Sequence, residues 1–275
     1  MKFSRCLLTA LAFGLVVPLA LFATPTAQAG VGDLLVAPTR IVLNGSRGTE
    51  IVLSNIGDDV ATYRVSVELR RMTPDGRLED VTQATDRETI ARNMILYAPR
   101  RVTIAPNQPQ TIRIAARAPA GIPDGEYRAH LLFRAIPPPR PVAPPVEVKG
   151  VSFELIPIYG VTIPVVVRMG NLSAKVGIAN VAMTQLAGKP AVSLDLTRAG
   201  DRSVFGDVRI FKAGIKDPIA IQRGVAIYTE VGTRHMIIPI NPDLAISAAG
   251  PVTVDFVEST DSGPVALAET RTVLR

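Results

Sequence analysis

His130 and His235 are the only two imidazoles in the chain, and neither has the companions that imidazole chemistry requires. A histidine metal site needs a second ligand at fixed spacing, such as a histidine four residues on or a nearby cysteine. Neither histidine has one. There is no G-x-S-x-G nucleophile turn, no G-x-x-x-x-G-K-[ST] phosphate loop and no calcium loop of alternating acids. Gly45-Ser46-Arg47-Gly48 reads as a hairpin turn, because no helix follows to cradle a phosphate. No catalytic residue, metal ligand or cofactor-binding residue is assigned, and a secreted hydrolase is disfavoured. Asn44-Gly45-Ser46 and Asn171-Leu172-Ser173 match the glycosylation sequon. The remaining constellation is for binding. Arg40 sits in an early strand, with Pro38-Thr39-Arg40 as a polar step between apolar residues. An arginine fixed on a strand between two domains can form a two-pronged pair with a carboxylate, and a chain terminus is a natural target.

The elements that must position this arginine are strands. Short alternating runs recur along the chain: EIVLS at 50–54, ATYRVSVE at 61–68, QTIRIA at 110–115 and VTVDF at 252–256. Their Val, Ile and Thr side chains fit a pleated, half-buried surface. Turn signals separate them, among them Asn44-Gly45, Pro74-Asp75-Gly76 and Pro123-Asp124-Gly125. Many short strands at this spacing predict an all-β sandwich or barrel. Residues 80–93 are the one plausible short helix in the first half, read here as a polar excursion between strands. A fresh alternating series begins after Met169-Gly170-Asn171, so the domain boundary is placed near 168–173 and two sandwiches of similar size are expected.

The run DGEYRAHLLFRAIPP at 124–138 and the apolar stretch GVSFELIPIYGVTIPVVV at 150–167 read as two long neighbouring strands. The Pro-rich residues 137–145 form an extended loop within the first domain. The second stretch is apolar on both faces yet carries Pro157 and Pro164, which argues against a central strand and for an apolar edge. Exposed apolar edges invite aggregation and are normally blunted, so one that is retained implies a covering partner. The competing expectation is that this stretch is buried by the chain's own second sheet and second domain.

Residues 1–29 read as a cleavable signal peptide: Lys2 and Arg5, an apolar run over 7–21 too short for a comfortable span, and the small-x-small site Ala27-Gln28-Ala29. Cleavage would remove Cys6, the chain's only cysteine, and leave no disulfide. The formal net charge is +6, and Lys2 and Arg5 contribute two of those positive charges. With no basic run interleaved with aromatics and no Trp, nucleic-acid binding has little support. No stretch after the signal is apolar enough to span a bilayer as a helix.

Several motifs, in order, resemble the periplasmic chaperones of the chaperone–usher pilus pathway. Thr39 to Gly45 is similar to that family's first strand, and Leu53-Ser54-Asn55 to the end of its second. Pro99 and Pro106 flank Arg101, Val102 and Ile104 as in its proline-bounded strand, with Ile112-Arg113 following. Arg134-Ala135-Ile136-Pro137-Pro138 is similar to the end of its sixth strand. The resemblance covers most of 36–167; residues 198–207 fit the second domain loosely.

This resemblance implies two immunoglobulin-like β-sandwich domains set at an angle, residues 30–168 and 169–275, with a cleft between them. It implies a periplasmic chaperone that is not an enzyme and has no cofactor. Such a chaperone holds a pilus or fimbrial subunit by donor-strand complementation and delivers it for fibre assembly, with an outer-membrane usher as the further partner. Arg40 takes the place of the anchor for the subunit's C-terminus. Residues 150–167 become the donor strand, with Val151, Phe153 and Leu155 on one face as the inserted side chains. The family's second anchor is a lysine late in this strand; here Thr162 or Pro164 occupies that region, and no Lys or Arg lies within 150–167. The alternative is a structural or adhesive two-domain component of a surface fibre. It would be expected to carry an extra N-terminal arm, and the first strand begins only a few residues after Ala29.

Overall fold

The computed structural model describes residues 33–45, 47–137, 158–242, 249–260 and 263–275. The first half contains β1 (Leu34–Ala37), β2 (Ile41–Asn44), β3 (Thr49–Asn55), β4 (Ala61–Glu68), β5 (Arg70–Met72) and β6 (Leu78–Asp80). It continues with α1 (Asp86–Met94), β7 (Ile95–Ala98), β8 (Arg101–Ile104), β9 (Pro109–Ala116), β10 (Gly125–Ile136) and β11 (Gly160–Met169). The two large sheets are ordered β1-β3-β9-β7 and β2-β11-β10-β4-β8, and β5-β6 form a separate two-stranded one. Alternation drives the packing. Tyr63 and Val65 of β4 and Tyr127, Ala129, Leu131 and Phe133 of β10 point into one core, while Arg64 and Arg134 point out.

The second half contains β12 (Ala174–Leu186), β13 (Lys189–Gly200), β14 (Val204–Lys212), β15 (Ala220–Ile227), β16 (Thr233–Pro239), β17 (Gly250–Thr260) and β18 (Gly263–Leu274). They form sheets ordered β12-β13-β16 and β15-β14-β17-β18 around a second core that includes Val192, Leu194, Val208, Val254 and Phe256. The architecture is all-β, two sandwiches in sequence. In the first, chain order maps onto the A-B-E-D and G-F-C sheets of an immunoglobulin-like sandwich, with the first strand split between both sheets. Tyr127, near the start of the sixth of these strands, donates from its hydroxyl to the Pro123 carbonyl at 2.7 Å, which is the tyrosine corner of that fold.

Two expectations need correction. Residues 80–93 are more than a polar excursion. Thr85 and Glu88 form a reciprocal capping box that starts α1, and Ala91 and Met94 bury into the first core. Ahead of α1, β5 and β6 form a hairpin that reaches over to the second sandwich. Met72 joins the second core, and the His235 N–H donates to the Pro74 carbonyl at 2.7 Å.

The second correction concerns β11, which is not an edge strand along its whole length. Val165 to Arg168 pair with β10 on one side and, in parallel, with Ile41 to Asn44 of β2 on the other. Ile163, Val165 and Val167 fill the first core, and Val166 on the opposite face is also fully buried. Residues apolar on both faces here mark a strand covered on both faces. Residues 160–164 differ: they pair with β10, and no other strand among the described residues meets their outer edge. Pro164 is the last residue before two-sided pairing begins, where a missing N–H costs the ladder least. The inserted positions Val151, Phe153 and Leu155 lie outside the described residues.

Candidate binding site between the two sandwiches

The site is built by strand register. On β10, Glu126, Arg128 and His130 alternate with core residues and therefore face outward from the first sandwich. Their β11 partners are Arg168, Val166 and Pro164. Arg40 lies one residue before the Ile41–Val165 pair, in line with Pro164. One row across the sheet therefore reads Arg40, Pro164, His130, Glu68. The second sandwich covers this end of the face only: His130 is fully buried, Leu132 is half-buried and Arg134 is exposed.

The second sandwich contributes Ser203, Phe205, Tyr228 and Glu230. Arg128 makes a two-pronged pair with Glu230, at 2.6 and 3.2 Å, and lies flat on the Tyr228 ring, 3.5 Å from its centroid. It also donates to the Arg70 carbonyl at 2.7 Å. Arg168 Nε meets Glu126 Oε2 at 3.1 Å, and the same oxygen accepts from the Ser203 N–H at 2.9 Å. Arg40 differs from both. Its Nη2 donates to the Ser203 hydroxyl at 3.2 Å, and its guanidinium lies 4.9 Å from the Phe205 centroid and 5.9 Å from that of Tyr228. Its Nη1 is buried with no hydrogen-bond partner among the described residues. No carboxylate among the described residues lies within ion-pair distance of it.

The electrostatics follow from this count. Arg128 and Arg168 are matched by Glu230 and Glu126, whereas Arg40 has no carboxylate partner among the described residues. Burial pulls the Arg40 guanidinium below its ordinary value, partly offset by Tyr228 and Glu126, while Arg168 and Arg128 push it further down. An arginine remains charged through such a shift, so its desolvation is a standing cost that an incoming anion relieves. His130 is neutral. Burial, with Arg128 and Arg70 nearby, lowers it to about 3. Neither of its ring nitrogens has a partner among the described residues, and its ring meets Tyr228 edge-on, centroids 6.4 Å apart. A hollow of about 350 Å³ opens at this seam, lined by residues that include Arg70, Arg87, Glu126, Arg128 and Glu230. Arg40 does not line this hollow; what it offers is a buried guanidinium nitrogen without a partner among the described residues, to which a carboxylate is the matching group.

Away from the seam, His235 Nδ1 meets Asp195 at 2.6 Å. Asn180 first, and then His235, hold that carboxyl below its ordinary range. Among the described residues no group of three or more His, Cys, Asp or Glu side chains could hold a metal ion.

Sequence reasoning placed Arg40 between the sandwiches but missed Arg128, Arg168, Tyr228 and Glu230. The alternation Glu126, Arg128, His130 inside an otherwise apolar strand was the available signal. Arg168 stands just beyond the segment searched for a second cation. It lies close enough to Arg40 to act on it electrostatically, but it is already paired with Glu126.

No family model matches the chain, and no curated protein matches it. Among solved structures it is similar to the E. coli chaperone DraB, with 16% identity and a TM-score of 0.47 over 90% of this chain and 98% of that one. It is similar to the YadV chaperone at 15% identity and a TM-score of 0.46, over 88% of this chain and 100% of that one. It is also similar to a chain of the Salmonella enterica SafA pilin–SafB chaperone complex, at 14% identity and a TM-score of 0.45, over 90% and 98%. No helix among the described residues is long and apolar enough to cross a membrane.

Proposed function

We propose that this chain is a periplasmic chaperone for pilus or fimbrial subunits, acting by binding and not by catalysis. One observation carries the reading. Arg40, a seam cation with no carboxylate partner among the described residues, lies in the same cross-strand row as Pro164, at the end of the unpaired edge of residues 160–164. A polypeptide strand added to that edge would run beside the cation able to hold its terminal carboxylate. Residues 30–168 are then the capturing domain, with the part of 150–167 that precedes Val165 as donor strand and Val151, Phe153 and Leu155 as the inserted side chains. Residues 169–275 form the second wall of the cleft. Delivery to an outer-membrane usher completes the role.

The test is recovery of the tagged full chain from the periplasm of its source, with mass spectrometry of what accompanies it. An equimolar complex with one surface-fibre subunit is expected. Recovery of the chain alone, from cells that secrete such subunits, would remove the reading.

A further inference from the structure

Beyond the seam, the same outer face carries three arginines in one line. Arg134 of β10 is the direct cross-strand partner of Arg64 of β4, and Arg64 is the direct partner of Arg101 of β8. All three are exposed, and each adjoins buried inward-facing residues, so they share the outward face. With strands about 4.8 Å apart, the row spans roughly 10 Å. None of the three makes an ion pair with another described residue. The flanking rows hold Leu132 and Ser66 on one side and Ile136, Thr62 and Thr103 on the other, so no acid stands among them. The acid of the described strands on this face is Glu68, already paired with Arg70 at 3.1 Å.

Like charges placed directly opposite each other destabilise a sheet. Two successive Arg–Arg pairs therefore work against folding, and no carboxylate among the described residues pairs with them. What they provide is a concentrated positive field on a flat surface. The row continues to Gly160, the β11 partner of Arg134 and the first residue of the free edge. Gly160 adds no side chain of its own to the row, and the Leu132 side chain leans over it. A strand added on that edge would place one side chain in line with Arg134, two strand spacings or roughly 10 Å away, which an arginine and a glutamate span together.

We propose that Arg134, Arg64 and Arg101 form a second recognition surface, which docks an acidic segment of the polypeptide seated on the free edge of β11; the seating rests on the strand-addition reading above. Carboxylates are the matching chemistry. The three rows carry no aromatic side chain on which bases could stack.

The test uses the full mature chain and a fluorescein-labelled decaglutamate peptide, read by anisotropy. Binding is expected to weaken steeply as salt is raised from about 50 to 200 mM. Arg64→Thr should weaken it about fivefold or more while raising the melting temperature by about 1–3 °C, because a like-charge row is relieved. Arg113→Gln removes an equal charge from the other sheet, where Arg113 pairs with Glu50 at 3.3 Å; it should leave binding within about twofold. Equal binding by wild type and Arg64→Thr would overturn the proposal. So would Arg64-dependent binding of phosphatidylglycerol vesicles without peptide binding. The probe needs no client, so failure here leaves strand addition standing, whereas loss of client capture with decaglutamate binding intact removes only the seating.

Discussion

Glu126 and Arg168 are direct cross-strand partners, and together they hold both backbone polar atoms of Ser203 in the opposite sandwich. Glu126 Oε2 accepts from the Ser203 N–H at 2.9 Å, and Arg168 Nη2 donates to the Ser203 carbonyl at 3.1 Å. Removing one member of so buried a pair strands the other. Glu126→Ala should lower unfolding free energy by about 3 kcal/mol in urea titration. A loss below about 1 kcal/mol would mean the pair is solvated and does not join the sandwiches.

His130 should make the chain sensitive to acid. It is held at about 3 in the folded state, against about 6.5 when unfolded. Its folded value is depressed, so its contribution is fully present above pH 6.5 and is lost as pH falls toward 3. Arg128, Arg70, Glu68 and Tyr228 surround it, and the two arginines keep the sign unchanged. Between pH 7 and pH 5 the wild type should lose about 2 kcal/mol more than His130→Phe. Equal losses would show that the ring takes up its proton in place.

Arg40 is expected to act through geometry as well as charge. Arg40→Lys keeps the cation but cannot present a two-pronged donor or stack on Phe205 and Tyr228 as a planar group. Subunit recovery should fall about tenfold in both Arg40→Lys and Arg40→Ala, with melting temperatures near wild type. Full recovery with lysine would reduce the site to a point charge.

The proposed donor strand predicts a ranking of two charges. If residues 150–157 continue β11 as a strand, Phe153→Asp should impair subunit capture more than Ser152→Asp, since adjacent strand residues face opposite ways. Co-purification yield measures it, and the reverse ranking would put the inserted face on Ser152 and Glu154.

Much of the fold was legible because alternation is a local signal. In ATYRVSVE the inward Tyr63 and Val65 and the outward Arg64 follow from period two alone. The capping pair Thr85 and Glu88 was equally local, yet the polar composition of 80–93 outweighed it. β11 was misjudged for a different reason. Val166 is apolar on the outward face and fully buried there, and no residue near it in sequence signals that cover. The seam was half legible. Arg40 stood out by its surroundings, but the Arg128–Glu230 pair joins residues 102 apart, and only the docked sandwiches bring them together. The arginine row was invisible for the same reason, since it depends on register across three strands.

The central claim is that the seam holds a free chain terminus. The most direct test is titration of the full chain with a peptide of about 15 residues from the C-terminus of a surface-fibre subunit recovered with it, once as the free acid and once as the amide. The free acid should bind about tenfold or more tightly, and Arg40→Ala should erase the difference. Equal affinity of acid and amide for the wild-type chain would contradict the account.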